Sequence, residues 1–340
     1  MIKLPKLRKI ENLLIQLAIF LATYLFIYKQ VFHNSNLPEL IQTVKNDVAK
    51  PEIQLLFPVI LLMMALNWCL EAVKWQYLIG KIEKVSFFKA FQAVLTGVSI
   101  SSFTPNRVGE FFGRVFILRE ASHIEGILIT MVGSVSQLLI TVFAGSASLV
   151  ILIPRLLPEA AYSHGYLYYG IIAIVTALDL ILLGLFFNLS FLSAVKERIL
   201  QNRWEKVRRF FRVFAFYRNR ELAVVMLLSL TRYIVFSTQF YLLLRLFDVN
   251  IPYPTAMMLI SLVYFMMAII PTIALTELGI RGSVALYFFG IYFGHMHTTL
   301  ANLSLGIFAS STILWMINLG FPALIGTIFV FRLQFFRKPV

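Results

Sequence analysis

SSFTPNRVGEFFGR at residues 101–114 and AIIPTIALTELGIRG at residues 268–282 decide the reading of this chain. In each, a proline follows an apolar segment, and a glutamate and an arginine come after it, four residues apart: Pro105, Glu110, Arg114 and Pro271, Glu277, Arg281. A Glu and an Arg at i and i+4 share one helix face. A charge at the centre of a bilayer costs about 2.5–3.5 kcal/mol on insertion scales, so such pairs are tolerable where they line a polar cavity beside broken helices. Paired breaks in corresponding positions of two halves point to a central translocation site.

The flanking sequence is that of a membrane protein. Of 340 residues, 59% are hydrophobic and 14% charged, and the mean hydropathy is +0.83. That is far too few charges for a soluble chain of this size. Cys69 is the sole cysteine, which excludes a disulfide within the chain, and its position in an apolar span gives it a packing role. The basic start MIKLPKLRKI precedes an apolar run at 12–32 that is too long for a signal h-region, so it is read as a retained first transmembrane helix.

Further apolar segments fall at 53–73, 88–103, 110–118, 125–153, 166–188, 221–247, 254–270, 278–293 and 298–331. A spanning helix needs about 20 residues. The short segments 88–103 and 110–118 are therefore read as two limbs of one re-entrant hairpin, and 254–270 and 278–293 as a second. Proline at both tips, with Gly109 and Gly279 after them, fits an unwound backbone. Asn318, Gly320 and Pro322 predict a kink in the last span.

Positive charge assigns the sides. Lys3, Lys6, Arg8 and Lys9 hold the N-terminus inside, as do Lys74, Lys81, Lys84 and Lys89 in the next inner loop and Arg332, Arg337 and Lys338 at the C-terminus. The expected fold is an all-α polytopic membrane protein with six full spans and two re-entrant hairpins. It is one membrane domain, 1–340, whose halves 1–153 and 165–332 form an inverted repeat. Net charge is +14, and residues 196–220 hold nine basic against two acidic side chains. Between apolar spans this patch marks a cytoplasmic loop rather than a nucleic-acid site. Within it Leu200, Trp204, Val207, Phe211 and Phe214 recur at helical spacing, predicting a basic amphipathic helix over 194–218 on the inner membrane surface.

Arg107, Glu110 and Arg114 at the first break, with Glu277 and Arg281 at the second, make the candidate substrate site. Guanidinium groups take phosphate in a two-bond fork, and the carboxylates can hold the arginines when the site is empty. The same pairs can instead neutralise one another for packing. Asp179 and Arg232 are candidates for an ion pair between spans. Glu71 and Lys74, at the inner end of the second span, are expected at headgroup level. His295 and His297 lack the further ligands a metal site needs, so no metal and no cofactor are expected. No nucleophile elbow, Walker A loop, zincin motif or C-x-x-C occurs, so no catalytic residue is assigned.

The run from Val73 to Glu120 resembles the lysylphosphatidylglycerol synthase transmembrane family, also called the flippase-like domain family. Lys74 and Trp75, then Pro105, Gly109, Glu110 and Arg114, follow the family's order of a basic residue and tryptophan before a proline, glycine, acid and arginine pattern. PTIALTELGIRG is similar to a second family pattern, with Thr272 to Leu275 in place of a glycine-rich turn. Full-length synthases carry a soluble aminoacyl-transfer domain after the membrane part, whereas this sequence stops at Val340, so aminoacyl-lipid synthesis is not expected. The resemblance implies a flippase-like protein of a prokaryotic cytoplasmic membrane that handles or translocates a lipid with an anionic headgroup, phospholipid or polyprenyl-phosphate. Two other readings fit the same residues: a membrane enzyme that modifies a lipid headgroup, and a non-transporting partner that docks a soluble enzyme.

Overall fold

A computed structural model describes residues 4–32, 51–104, 107–156, 165–188, 216–270, 274–294 and 300–331. Their regular structure is helical, with no strand among the described residues. In chain order the helices are α1 (Leu4–Phe32), α2 (Pro51–Ile79), α3 (Phe87–Ser101), α4 (Gly109–Val115), α5 (His123–Leu156) and α6 (Gly165–Phe187). Then follow α7 (Asn219–Leu246), α8 (Tyr253–Ile269), α9 (Ala274–Gly294), α10 (Leu300–Trp315), a π-helical turn (Met316–Gly320) and α11 (Phe321–Val330). Among the described residues five stretches are long and apolar enough to cross a membrane: Ile53–Ile79, His123–Leu152, Tyr168–Phe187, Asn219–Leu246 and Leu303–Val330. The chain is thus a multi-pass helical membrane protein. Leu13–Leu25, Phe87–Ser101 and Tyr253–Ile269 are shorter apolar helices. The expected basic helix over 194–218 lies almost wholly outside the described residues, as do Pro105, Pro271, His295 and His297.

The chain divides into two compact units. The first holds α1 to α4, the start of α5 to Met131, residues 272–278, and everything from Trp315 onward. Ser86 starts α3 by accepting a hydrogen bond from the Lys89 N–H, satisfying one of the free donors at a helix start. α3 and α11 then pack almost backbone to backbone. A Cβ at Gly326 would lie 2.1 Å from the Leu95 carbonyl oxygen, so only glycine fits there. Ser99 Oγ, 2.6 Å from the Ala323 carbonyl oxygen, ties the same two helices. α1 joins them through Gln16, which donates to the Phe331 carbonyl at 3.3 Å, and through an apolar cluster of Ile19, Ile100 and Val330.

The expected kink in the last span coincides with the π-helical turn. Such turns insert a residue into the helical ladder and concentrate at functional sites. Here Asn318, 6% exposed, accepts a hydrogen bond from Asn67 Nδ2 of α2 at 3.3 Å.

The second unit comprises residues 132–271 and 279–314. Its α5 and α8 meet where a Cβ on Gly145 would fall 2.3 Å from Phe265 Cβ, and its α9 and α10 meet at Gly282 against Phe308. Polar side chains pair between helices, as intramembrane hydroxyls and amides must. Ser136 and Ser229 are 2.8 Å apart, and Tyr233 donates to Ser261 at 2.7 Å. Phe236 and Phe240 stack on Tyr264, and Phe240 also meets Phe289.

Candidate functional site

The sequence pattern of α2 places Asn67, Glu71 and Lys74 at i, i+4 and i+7, one above the other on a single face. On α4, Glu110 and Arg114 are likewise stacked. What brings the two faces together is a glycine crossing. A Cβ on Gly113 of α4 would come 2.6 Å from Gly97 Cα of α3, and one on Gly97 would come 3.0 Å from Arg114 Cγ. With no side chain at either position, α4 lies down on α3 and Arg114 is carried into the interior of the first unit.

There it completes a four-residue charge cluster. Arg114 Nη1 donates to Glu71 Oε1 at 2.8 Å, and Lys74 Nζ sits 2.9 Å from Glu71 Oε2. Arg114 Nη2 is bonded to Glu110 Oε1. Lys74, Arg114 and Glu71 are 1%, 2% and 4% exposed, while the Glu110 side chain keeps 25% of its surface. Two cations and two carboxylates sum to zero charge, the condition under which such a group survives away from water. Among the described residues Arg114 Nε is buried without a hydrogen-bond partner. The assignment of Lys74 to the inner loop is wrong. α2 continues to Ile79, so Lys74 belongs to a helix rather than to the following loop, and its side chain, like that of Glu71, is enclosed by protein.

Around the first break the backbone is unusual. Arg107 has φ 58°, in the left-handed region that a non-glycine residue occupies at a cost of about 1–3 kcal/mol. Its side chain is half-buried, and its Nε has no hydrogen-bond partner among the described residues. The Gly109 N–H donates to Thr104 Oγ1 at 2.9 Å, and a Cβ on Gly109 would lie 2.6 Å from the Ile100 carbonyl oxygen. Gly109 is thus fixed by close approach. Gly279, its counterpart at the second break, has open space where a Cβ would be.

Glu277 and Arg281 occupy successive turns of α9. Glu277 is 4% exposed and falls in the first unit; Arg281 is half-buried and falls in the second. Asp179 and Arg232 each bond to another group. Ser146 Oγ donates to Asp179 Oδ2 at 2.6 Å, and Arg232 Nη1 donates to Gln137 Oε1 at 3.2 Å.

Sequence reasoning also missed Glu83, whose carboxylate accepts from the backbone N–H groups of Arg119, Glu120 and Ala121 at 2.9–3.0 Å. It anchors the turn between α4 and α5, and a separate bond from Trp75 Nε1 to Thr130 Oγ1 at 3.0 Å links α2 with α5. Backbone donors carry no sequence signature, so only the acidic residue itself was visible.

A family model described as the lysylphosphatidylglycerol synthase TM region matches residues 13–317. No curated protein and no solved structure matches the chain.

Proposed function

The chain belongs to the lysylphosphatidylglycerol synthase transmembrane family, and on that premise we propose that it is a flippase-like protein that binds and translocates lipids with an anionic headgroup. The observation that carries this reading is the buried group of Lys74, Glu71, Arg114 and Glu110. A helix pair that needed only to pack would bury apolar side chains more cheaply, since replacing a buried ion pair by hydrophobic residues is often neutral or stabilising. Ionisable groups kept inside a membrane protein are by default functional. Arg114 offers the planar fork that matches phosphate, and Lys74 adds a second positive charge.

In this reading the acyl or prenyl chains stay in lipid while the headgroup enters beside the first break. Arg107 and Glu277, in the same unit as that group, extend the polar route, and Arg281 is a further phosphate-binding candidate in the second unit. The two breaks act as re-entrant hairpins that enter from opposite sides of a prokaryotic cytoplasmic membrane, with both termini in the cytoplasm, and rocking of the inverted halves alternates access. Single cysteines at Asn106 and at Thr272, in a Cys69→Ala background, are then expected to react with small polar thiol reagents from the cytoplasmic and the outer side respectively. Labelling of both from one side in every condition rules out the inverted arrangement.

The function itself is tested in vesicles holding a short-chain fluorescent phosphatidylglycerol. Wild-type protein is expected to move the lipid between leaflets with its mass unchanged. Arg114→Lys is expected to slow that movement about tenfold, because the ammonium keeps the charge and loses the two-bond geometry. A wild-type rate in Arg114→Lys overturns the phosphate role of Arg114, and a changed lipid mass favours the enzyme reading.

A further inference from the structure

We propose that the Glu110 carboxylate is a built-in occupant of the phosphate's place on Arg114, displaced when the headgroup of a phosphodiester lipid binds. The inference rests on the reading above and specifies how the same site admits its ligand.

Three features of the cluster lead to it. The first is which edge of the guanidinium is engaged. Nη1 faces Glu71, whereas Nη2 and Nε form the other edge, and Glu110 satisfies only Nη2. Nε stays buried without a hydrogen-bond partner among the described residues, although Arg114 is 2% exposed. A buried donor left unmade is costly, and a phosphate seated side-on takes both N–H groups of that edge in parallel. The ligand therefore offers Arg114 one bond more than Glu110 does.

The second feature is accessibility. Glu71 is bonded to both cations and its side chain is 5% exposed, so it is fixed; Glu110 contacts one cation and its side chain is 25% exposed. Any group arriving from outside reaches Glu110 first.

The third is charge. Without Glu110 the remaining Lys74, Arg114 and Glu71 sum to one positive charge. A phosphodiester carries one negative charge and restores neutrality. A phosphomonoester carries about 1.5–2 at neutral pH and leaves the enclosed group with an excess. The site thereby favours diesters, and the empty protein keeps a neutral interior by holding its own carboxylate in the ligand's place.

Binding of short-chain phosphatidylglycerol, a diester, and short-chain phosphatidic acid, a monoester, to the detergent-solubilised full chain tests the proposal. Glu110→Gln and Glu110→Ala are expected to bind the diester about tenfold tighter or more, the scale of one charge-assisted competitor removed. The monoester is expected to bind more weakly than the diester to the same variants. Arg114→Lys is expected to weaken diester binding in either background. Unchanged or weaker diester binding by both Glu110 variants, with Arg114→Lys still impaired, overturns the displacement proposal and leaves the phosphate role of Arg114 standing. Wild-type binding by Arg114→Lys overturns both.

Discussion

Replacing Arg114 with leucine is expected to lower stability by about 3–5 kcal/mol, because removing one partner from a buried ion group leaves uncompensated charge in a dry environment. The arithmetic of the cluster makes the sign definite. Without the guanidinium, Glu71 and Glu110 face Lys74 alone, and one enclosed carboxylate has no counter-charge. The loss should be smaller in Arg114→Lys, which keeps the charge. It should also be partly recovered by combining Arg114→Leu with Glu110→Gln, which removes the stranded carboxylate; residues in one network are expected to be non-additive in this way. Thermal unfolding of the detergent-solubilised protein measures all three variants against the wild type. A melting temperature for Arg114→Leu equal to that of the wild type would mean that the cluster is open to water.

The helices were legible in the sequence because intramembrane backbone has few options. Apolar runs bounded by charge or proline had to be helical, and their expected limits fall within a few residues of α5, α6, α7 and the stretch from α10 to α11, while α2 runs six residues past its expected end. The i, i+4 pairing of Glu110 with Arg114 was equally visible, since periodicity alone sets it. What was not visible was the partner. Glu71 and Lys74 follow a long apolar run, and read along the chain a charge after such a run marks the membrane boundary. Their burial comes from the glycine crossing of Gly97 and Gly113, a contact between segments sixteen residues apart that hydropathy cannot register. The signal that could have revealed it was the spacing of Asn67, Glu71 and Lys74, one polar stripe on an otherwise apolar helix.

The bonding at the other sites was less legible for related reasons. Asp179 and Arg232 invited a pairing because opposite charges in neighbouring spans are rare, yet Asp179 takes a bond from Ser146 and Arg232 gives one to Gln137. Intramembrane polar groups take whichever partner the helix faces bring close, and hydroxyls and amides serve as well as charges. At the last span, Asn318, Gly320 and Pro322 announced a disturbance of the helix, while its π-helical form and the bond to Asn67 depend on packing against α2.

Exchanging the two side chains of the first pair, Glu110→Arg together with Arg114→Glu, separates a specific site from a merely neutral one. Composition and net charge are unchanged, so a cluster needed only for neutrality should tolerate the exchange. The structure predicts the opposite, because the two positions are not equivalent. Position 114 faces Glu71, 2.8 Å from the present guanidinium, and is enclosed; position 110 is at the accessible edge. The exchange puts a carboxylate against Glu71, and two like charges about 4 Å apart repel by about 4 kcal/mol at the effective dielectric of partly buried sites. Lys74 offsets part of this. The new arginine at the edge lacks the second carboxylate that now orients the guanidinium. The exchanged protein is therefore expected to lose several kcal/mol of stability and nearly all diester binding. Adding Glu71→Gln should recover stability by removing the repulsion, yet leave binding absent, since no guanidinium is returned to the enclosed position. Thermal unfolding and short-chain phosphatidylglycerol binding, measured on the double and triple variants, read the two effects separately. Wild-type binding by the double variant would sink the site, because neutrality would then be all that the four side chains provide.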